Sequence, residues 1–297
     1  MKVTNHQIAY VERLRKQSLF DCILCISIGI ASIVLGIALG KGVFPIVGIL
    51  LTVVLGIFVF GKKEEEYLDY YKKNFISAVI KECVPDATFE PEKGFSKVFI
   101  NGTELVMAGN RFHSEDRVHG TYKQVPFERC DVRIEEKVRS KNGSYTITYL
   151  EGYWIVFPSN KPFTADLQII RRGYKHAKSK KGIFTRKEER RHEIKTENEE
   201  FNKKFLCLCQ NDAEAFYLLT PDIMQAIMNL IDVIDGKFII GFVDNNVHVI
   251  VNSKKDSFEP TFIRKNNYDK MVADTKREMD GIIALVEGLK LSHKIYQ

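Results

Sequence analysis

His113, Glu115, Asp116 and His119 form the densest run of metal-ligating and acid–base side chains in the sequence. Two imidazoles and two carboxylates can hold a cation or pass a proton, provided that they converge. Asp131 or Glu135 would have to meet them to complete a hydrolase or transferase centre acting on a lipid or small molecule. The spacing speaks against this, because no His-x-x-x-His exists and His192-Glu193 is not followed by a second helical histidine. A surface loop entering a strand accounts for the cluster more simply. Cys22 and Cys25 have the C-x-x-C spacing of metal and thiol-redox sites, but they lie in an apolar run with no second pair. They read as apolar filler. Cys207 and Cys209, two apart, share one face of a strand and read as small buried hydrophobes. Serine-nucleophile, G-x-G-x-x-G and phosphate-loop patterns are absent from the sequence. No catalytic residue, cofactor or metal ligand is assigned on this basis, and a non-enzymatic binding, adaptor or sensing module is expected, with the enzyme as the alternative.

The other chemically suggestive group is a crowd of cations: Arg171, Arg172, Lys175, Lys178, Lys180, Lys181, Arg186, Lys187, Arg190 and Arg191. Near an anionic leaflet each such charge contributes about 1 kcal/mol, so these residues are candidates for contact with lipid or a partner. With few large apolar residues, the stretch 171–200 reads as a solvated excursion between two halves of a fold. Nucleic acid is not expected: only Tyr174 and Phe184 interleave with the charges, and the whole-chain net charge of +6 is mild.

What positions these residues is set by a longer feature. From Cys22 to Phe60 the chain is almost uninterruptedly apolar, broken at Gly40-Lys41-Gly42. Phe20–Leu39 and Val43–Phe60 would give helices of roughly 30 and 27 Å, close to the hydrocarbon thickness of a bilayer. A transmembrane helical hairpin over 20–60 is therefore expected. Lys2, Arg13, Arg15 and Lys16 precede it, Lys62, Lys63, Lys72 and Lys73 follow it, and Lys41 alone lies between. The positive-inside rule then puts both termini in the cytoplasm. Gly29, Ser32 and Gly36 line one face of the first helix, where small side chains permit close approach of the second.

Around the hairpin, residues 1–19 read as a cytosolic amphipathic segment and 61–85 as a connecting helix ended by Pro85. Residues 86–297 read as a cytosolic α+β domain of antiparallel strands with flanking helices. Strand patterns occur at 97–100, 117–122, 126–137, 144–150, 153–157, 166–170 and 205–209. Phe238–Val243 and Val247–Val251 flank a hairpin turn. Thr220-Pro221 starts a helix with its own cap, and a closing helix covers about 268–291. Asn101-Gly102 and Asn142-Gly143 read as hairpin turns.

Several stretches together resemble a known family. They are Glu115 to Tyr122, Leu150 to Phe157, Glu199 to Cys209, Asp212 to Pro221 and the hairpin Phe238–Val251. They are similar to the bacterial membrane-protein family called domain of unknown function 3137, over roughly residues 62–255. The resemblance implies a bacterial membrane-anchored protein with an α+β cytosolic domain. The family brings no established activity, so no functional residue carries over.

Overall fold

The computed structural model describes residues 5–38, 43–55, 61–141, 143–159, 162–175, 191–254, 258–261 and 264–289. The chain divides into two compact units, Met1–Glu82 with Phe258–Ala273, and Cys83–Ser257 with Asp274–Gln297.

The first unit is helical. Helix α1 runs unbroken from Asn5 to Ala38, so the amphipathic segment and the first apolar run lie on one helix. Nothing between Asn5 and Ile28 is glycine or proline, so nothing there interrupts the helical hydrogen-bond ladder. α1 is long and apolar enough to cross a membrane. Helix α2 is described over Val43–Leu55, while the turn at 39–42 and residues 56–60 lie outside the described residues. α1 and α2 meet at small side chains: a Cβ on Gly29 would stand 2.1 Å from Thr52 Oγ1, and one on Gly48 2.4 Å from Ser32 Cβ. These two contacts run in opposite chain directions, so the helices are antiparallel.

Helix α3 (Gly61–Tyr70) passes through a π-helical turn, Tyr71–Ile76, into α4 (Ser77–Cys83). Pro85 follows, as its effect on the preceding residue requires. The aromatic rings of this run are its core. Tyr71 stacks on Phe75 at 5.3 Å, Phe75 meets Tyr268 edge-on at 5.6 Å, and Asn266 donates to the Tyr67 hydroxyl at 2.8 Å.

The second unit is α+β, as expected, and built on one antiparallel sheet. Its strands are β1 (Thr88–Glu90), β2 (Arg111–Tyr122), β3 (Val125–Ser140), β4 (Gly143–Pro158) and β5 (Leu167–Arg171), then β6 (His192–Ile194), β7 (Phe205–Cys209), β8 (Lys237–Val243) and β9 (Asn246–Asn252). They lie in the order β1-β2-β3-β4-β9-β8-β5-β7-β6. β8 and β9 are joined through Asp244 and Asn245, both at positive φ, the geometry in which a two-residue turn follows the twist of its strands.

Residues expected as a strand at 97–100 instead form helix α5 (Lys97–Thr103). Ser96 caps it, its hydroxyl accepting from Phe99 N at 3.1 Å, and Asn101-Gly102 lies in its last turn rather than in a hairpin. The cap satisfies an amide that a strand would have had to pair. Asn142 lies outside the described residues. Helices α6 (Glu199–Lys204) and α7 (Asp212–Leu218) each start on an asparagine cap, Asn198 and Asn211. Helix α8 (Pro221–Val233) starts on Thr220, as the sequence indicates.

Both faces of the sheet are buried. On one, Val132, Ile134, Leu150, Trp154, Ile239 and Ile250 pack with Ile100 of α5 and Leu105. On the other lie Tyr153, Ile155, Phe157, Phe238, Ile240 and the Cys207–Cys209 pair. Helix α9 (Tyr268–Gly288) presents Thr275, Met279, Ile282 and Val286 as its buried stripe and reaches the second face through Glu278.

Candidate functional site

A groove of about 820 Å³ opens on the second unit where β1, β2, β3 and β4 run out past α5. Phe95, Phe99, Phe127 and Val156 supply its apolar surface, with Phe95 and Phe99 ring to ring at 5.3 Å. Beside the groove, Val98 is 84% exposed and Phe99 39%. Arg117, His119 and Glu128 supply its polar side.

A bulge in β2 decides which residues reach the groove. Glu115 pairs with Asp131 and Val118 with Arg129, so three steps along β2 match two along β3. One extra residue inverts the alternation of side chains. Asp116 occupies the bulge at φ 55°, which aspartate tolerates better than most residues. His113 and Glu115 consequently face one side of the sheet, and His119 the other. The cluster His113, Glu115, Asp116 and His119 does not converge. His113 pairs with Glu115 at 2.9 Å on an exposed surface, while His119 reaches Glu90 at 3.4 Å. Glu135 is held by Arg133 at 2.9 Å.

Asp131 is committed elsewhere. Arg129, fully buried, bonds Asp131 at 2.8 Å, pairs with Glu278, donates to the Asp116 carbonyl at 3.3 Å and lies over the Tyr153 ring at 5.2 Å. Burial alone would lower its pKa, but the carboxylates of Asp131 and Glu278 outweigh that and hold it above its ordinary value. This is a buried ion-pair network.

The groove itself shows bound polar groups. Arg117 spans Glu128 at 3.0 Å and Glu90 at 3.5 Å. The Ser96 hydroxyl caps α5, and the nearby Ser114 hydroxyl donates to the Asp131 carbonyl at 2.8 Å and accepts from Phe95 N at 3.0 Å. A salt-bridged rim on an aromatic floor suits binding. Reactions at these hydroxyls would need a base within hydrogen-bond reach, and their bonds go to backbone groups instead.

Behind the groove, His248 is buried, and its Nδ1 accepts from the Trp154 indole at 3.1 Å. Burial pushes the His248 imidazole down to about 4. Burial likewise pushes the Cys207 thiol up to about 12 and raises Cys209, which leaves both as inert apolar packing.

Of the ten basic residues expected to meet lipid or a partner, Lys178, Lys180, Lys181, Arg186, Lys187 and Arg190 lie outside the described residues. Arg171 donates to the Gly236 carbonyl at 2.9 Å and lies over the Phe238 ring at 5.7 Å. Arg172 bonds the Asn202 carbonyl at 2.9 Å, and Lys175 is exposed. Arg191 turns inward: it bonds Asp166 at 2.9 Å, the Gln168 amide oxygen and the Glu104 carbonyl at 3.3 Å each, and the Thr103 carbonyl at 3.4 Å. Buried there, it cannot touch a headgroup. Apart from His119, the groove residues carry no mark in the sequence, because they come from segments between Asp86 and Asn246 that only the sheet assembles.

Residues 148–291 match the family model described as "Protein of unknown function (DUF3137)". That part of the chain is similar to this family. The DUF3137 match starts within β4 and runs past α9, so it covers Leu150 to Phe157 and the Phe238–Val251 hairpin but not Glu115 to Tyr122. It is shifted toward the C-terminus from the 62–255 span of the resemblance. No curated protein matches the chain. The crystal structure of the mycobacterial trehalose monomycolate transport factor A, TtfA, is similar to it at 10% identity and a TM-score of 0.36, over 71% of this chain and 96% of that one. A likeness of that degree carries no argument about what this chain does.

Proposed function

We propose that this chain is a membrane-anchored, non-enzymatic binding module of a bacterial cell. In this reading 20–39 and 43–60 are two spans, both termini are cytoplasmic, and the α+β domain offers its aromatic groove to a protein partner. One observation carries the anchoring. Ile23, Leu24, Ile26, Ile30, Val34, Leu35 and Ile37 of α1 are each 47–72% exposed, as are Ile46, Ile49, Leu50 and Val53 of α2 within the same range. A contiguous outward face of aliphatic side chains is unfavourable in water and suited to acyl chains. The antiparallel contact at Gly29 and Gly48 is the packing that two spans in one chain use.

Carbonate washing of membranes should leave the chain in the pellet, and release of intact chain would remove the anchor. Protease added outside sealed cells should spare the large domain; its digestion would reverse the orientation. For the groove, a photo-crosslinker in place of Phe99 should capture a partner that the same group in place of Lys203 does not. Capture of the chain by itself alone would withdraw the adaptor role.

A further inference from the structure

Where α1 and α3 diverge, the first unit has a notch of about 750 Å³ whose lining includes Arg13, Lys16, Phe20 and Lys63. We infer that this notch is a binding site for the phosphate of an anionic phospholipid, with Phe20 against the first part of its acyl chains. The inference rests on the membrane-anchor reading and adds a ligand to it.

Charge is the first ground. Arg13 and Lys16 are exposed and make no ion pair or hydrogen bond among the described residues. Among the described residues Lys63 pairs with Glu66 alone, at 3.6 Å on the surface. Of the acidic groups in the lining, Glu12 is already taken, receiving both Arg15 Nη2 at 2.7 Å and Arg15 Nε at 3.0 Å, and the Tyr268 hydroxyl at 3.0 Å. Asp21 is left against three cations, so the notch is net positive.

Depth is the second. Arg13, Lys16 or Gln17, and Phe20 follow one another at three- and four-residue steps along one face of α1. At about 1.5 Å per residue, Lys16 lies roughly 6 Å and Arg13 roughly 10 Å below Phe20. The polar zone on each side of a hydrocarbon core is about 5–8 Å thick. Phe20 is 65% exposed and the outward aliphatic face begins just beyond it. Hence Phe20 marks the edge of the hydrocarbon, Lys16 stands at phosphate height, and Lys63 reaches the same height from the start of α3.

The test uses the full chain in neutral detergent, offered phosphatidylglycerol or phosphatidylcholine and read by native mass spectrometry. The wild type should retain phosphatidylglycerol with a preference of roughly tenfold, the size expected of two or three cations partly screened by solvent. R13K should keep that preference and R13Q/K16Q should lose it. Glutamine is nearly as good a helix former as lysine or arginine, so α1 persists. K63Q, on the other helix, should give a smaller loss and serves as the independent variant. Equal retention of the two lipids by the wild type, or an undiminished preference in R13Q/K16Q, overturns the site. Displacement of phosphatidylglycerol by excess inorganic phosphate would assign the notch to a soluble anion and overturn the lipid. Carbonate extraction is read separately: release of the chain sinks the anchor, whereas a retained chain with no headgroup preference sinks this site alone.

Discussion

Arginines in this molecule meet two opposite fates. Arg129 is sealed between β3 and α9 with Asp131 and Glu278 and has an aromatic ring beneath it. Arg13, on an exposed face of α1, has no ion pair or hydrogen bond among the described residues. The same guanidinium is an internal strut in one place and an open hand in the other. A buried cation persists only when its partners repay the desolvation, so its removal strands those partners. An exposed one costs the fold nothing and is free for something outside the chain.

The sharpest way to break this contrast is Arg129→Met. It should destabilise the chain by about 3–5 kcal/mol, since Asp131 and Glu278 would stay buried without a counter-charge. Thermal melting of the full chain in detergent checks this, and adding Asp131→Leu and Glu278→Leu should recover much of the loss. A melting point unmoved by Arg129→Met would mean that the network is wetter than its geometry indicates.

Next in size is a pH effect on the same sheet. Burial holds the folded pKa of His248 at about 4, below the usual 6.5, and the buried ring accepts the Trp154 N–H. Above pH 6.5 neither folded nor unfolded chain carries this proton, and the histidine's pH-linked contribution is intact. As pH falls from 6.5 toward 4 the unfolded state takes up the proton first, and stability drops by about 3 kcal/mol in total. His248→Gln should flatten that part of the stability–pH curve. An unchanged curve would show that the imidazole is solvated.

Arg191→Ala is expected to cost about 2 kcal/mol, because the guanidinium bonds Asp166 and several buried backbone and amide oxygens. Denaturant midpoints would show it. At the far end of the series, R13Q/K16Q should alter stability by less than about 0.5 kcal/mol, as substitutions of unpartnered surface residues do. A larger change would show that these cations serve the fold after all.

Parts of this fold could be read directly from the sequence. The hairpin of β8 and β9 combines two apolar runs with a turn that tolerates positive φ, and Thr220-Pro221 announces α8 by its cap. Small residues at Gly29 and Ser32 do face a second helix. Other features depend on context. The four-residue apolar pattern at Lys97–Ile100 suits a strand as well as a helix, and the Ser96 cap tipped the balance. The candidate site was the least legible part. His113, Glu115, Arg117 and His119 are all odd-numbered and would share a face in a regular strand, but the extra residue at Asp116 reverses the sheet side midway. That reversal separates the supposed cluster and at the same time brings His119 into a groove with residues from five strands and α5.

α1 has no joint. Its 34 residues make a rod of about 51 Å, and if Phe20 onward is held in lipid, the fifteen residues before it project as a lever of roughly 22 Å. A span accommodates a thinner bilayer by leaning over, and a lean of about 20° would sweep the tip of this lever sideways by roughly 8 Å. A hinged anchor would absorb such a movement at the water boundary. Under the anchor reading, α1 would hand any change in bilayer thickness to whatever touches the helix near Asn5.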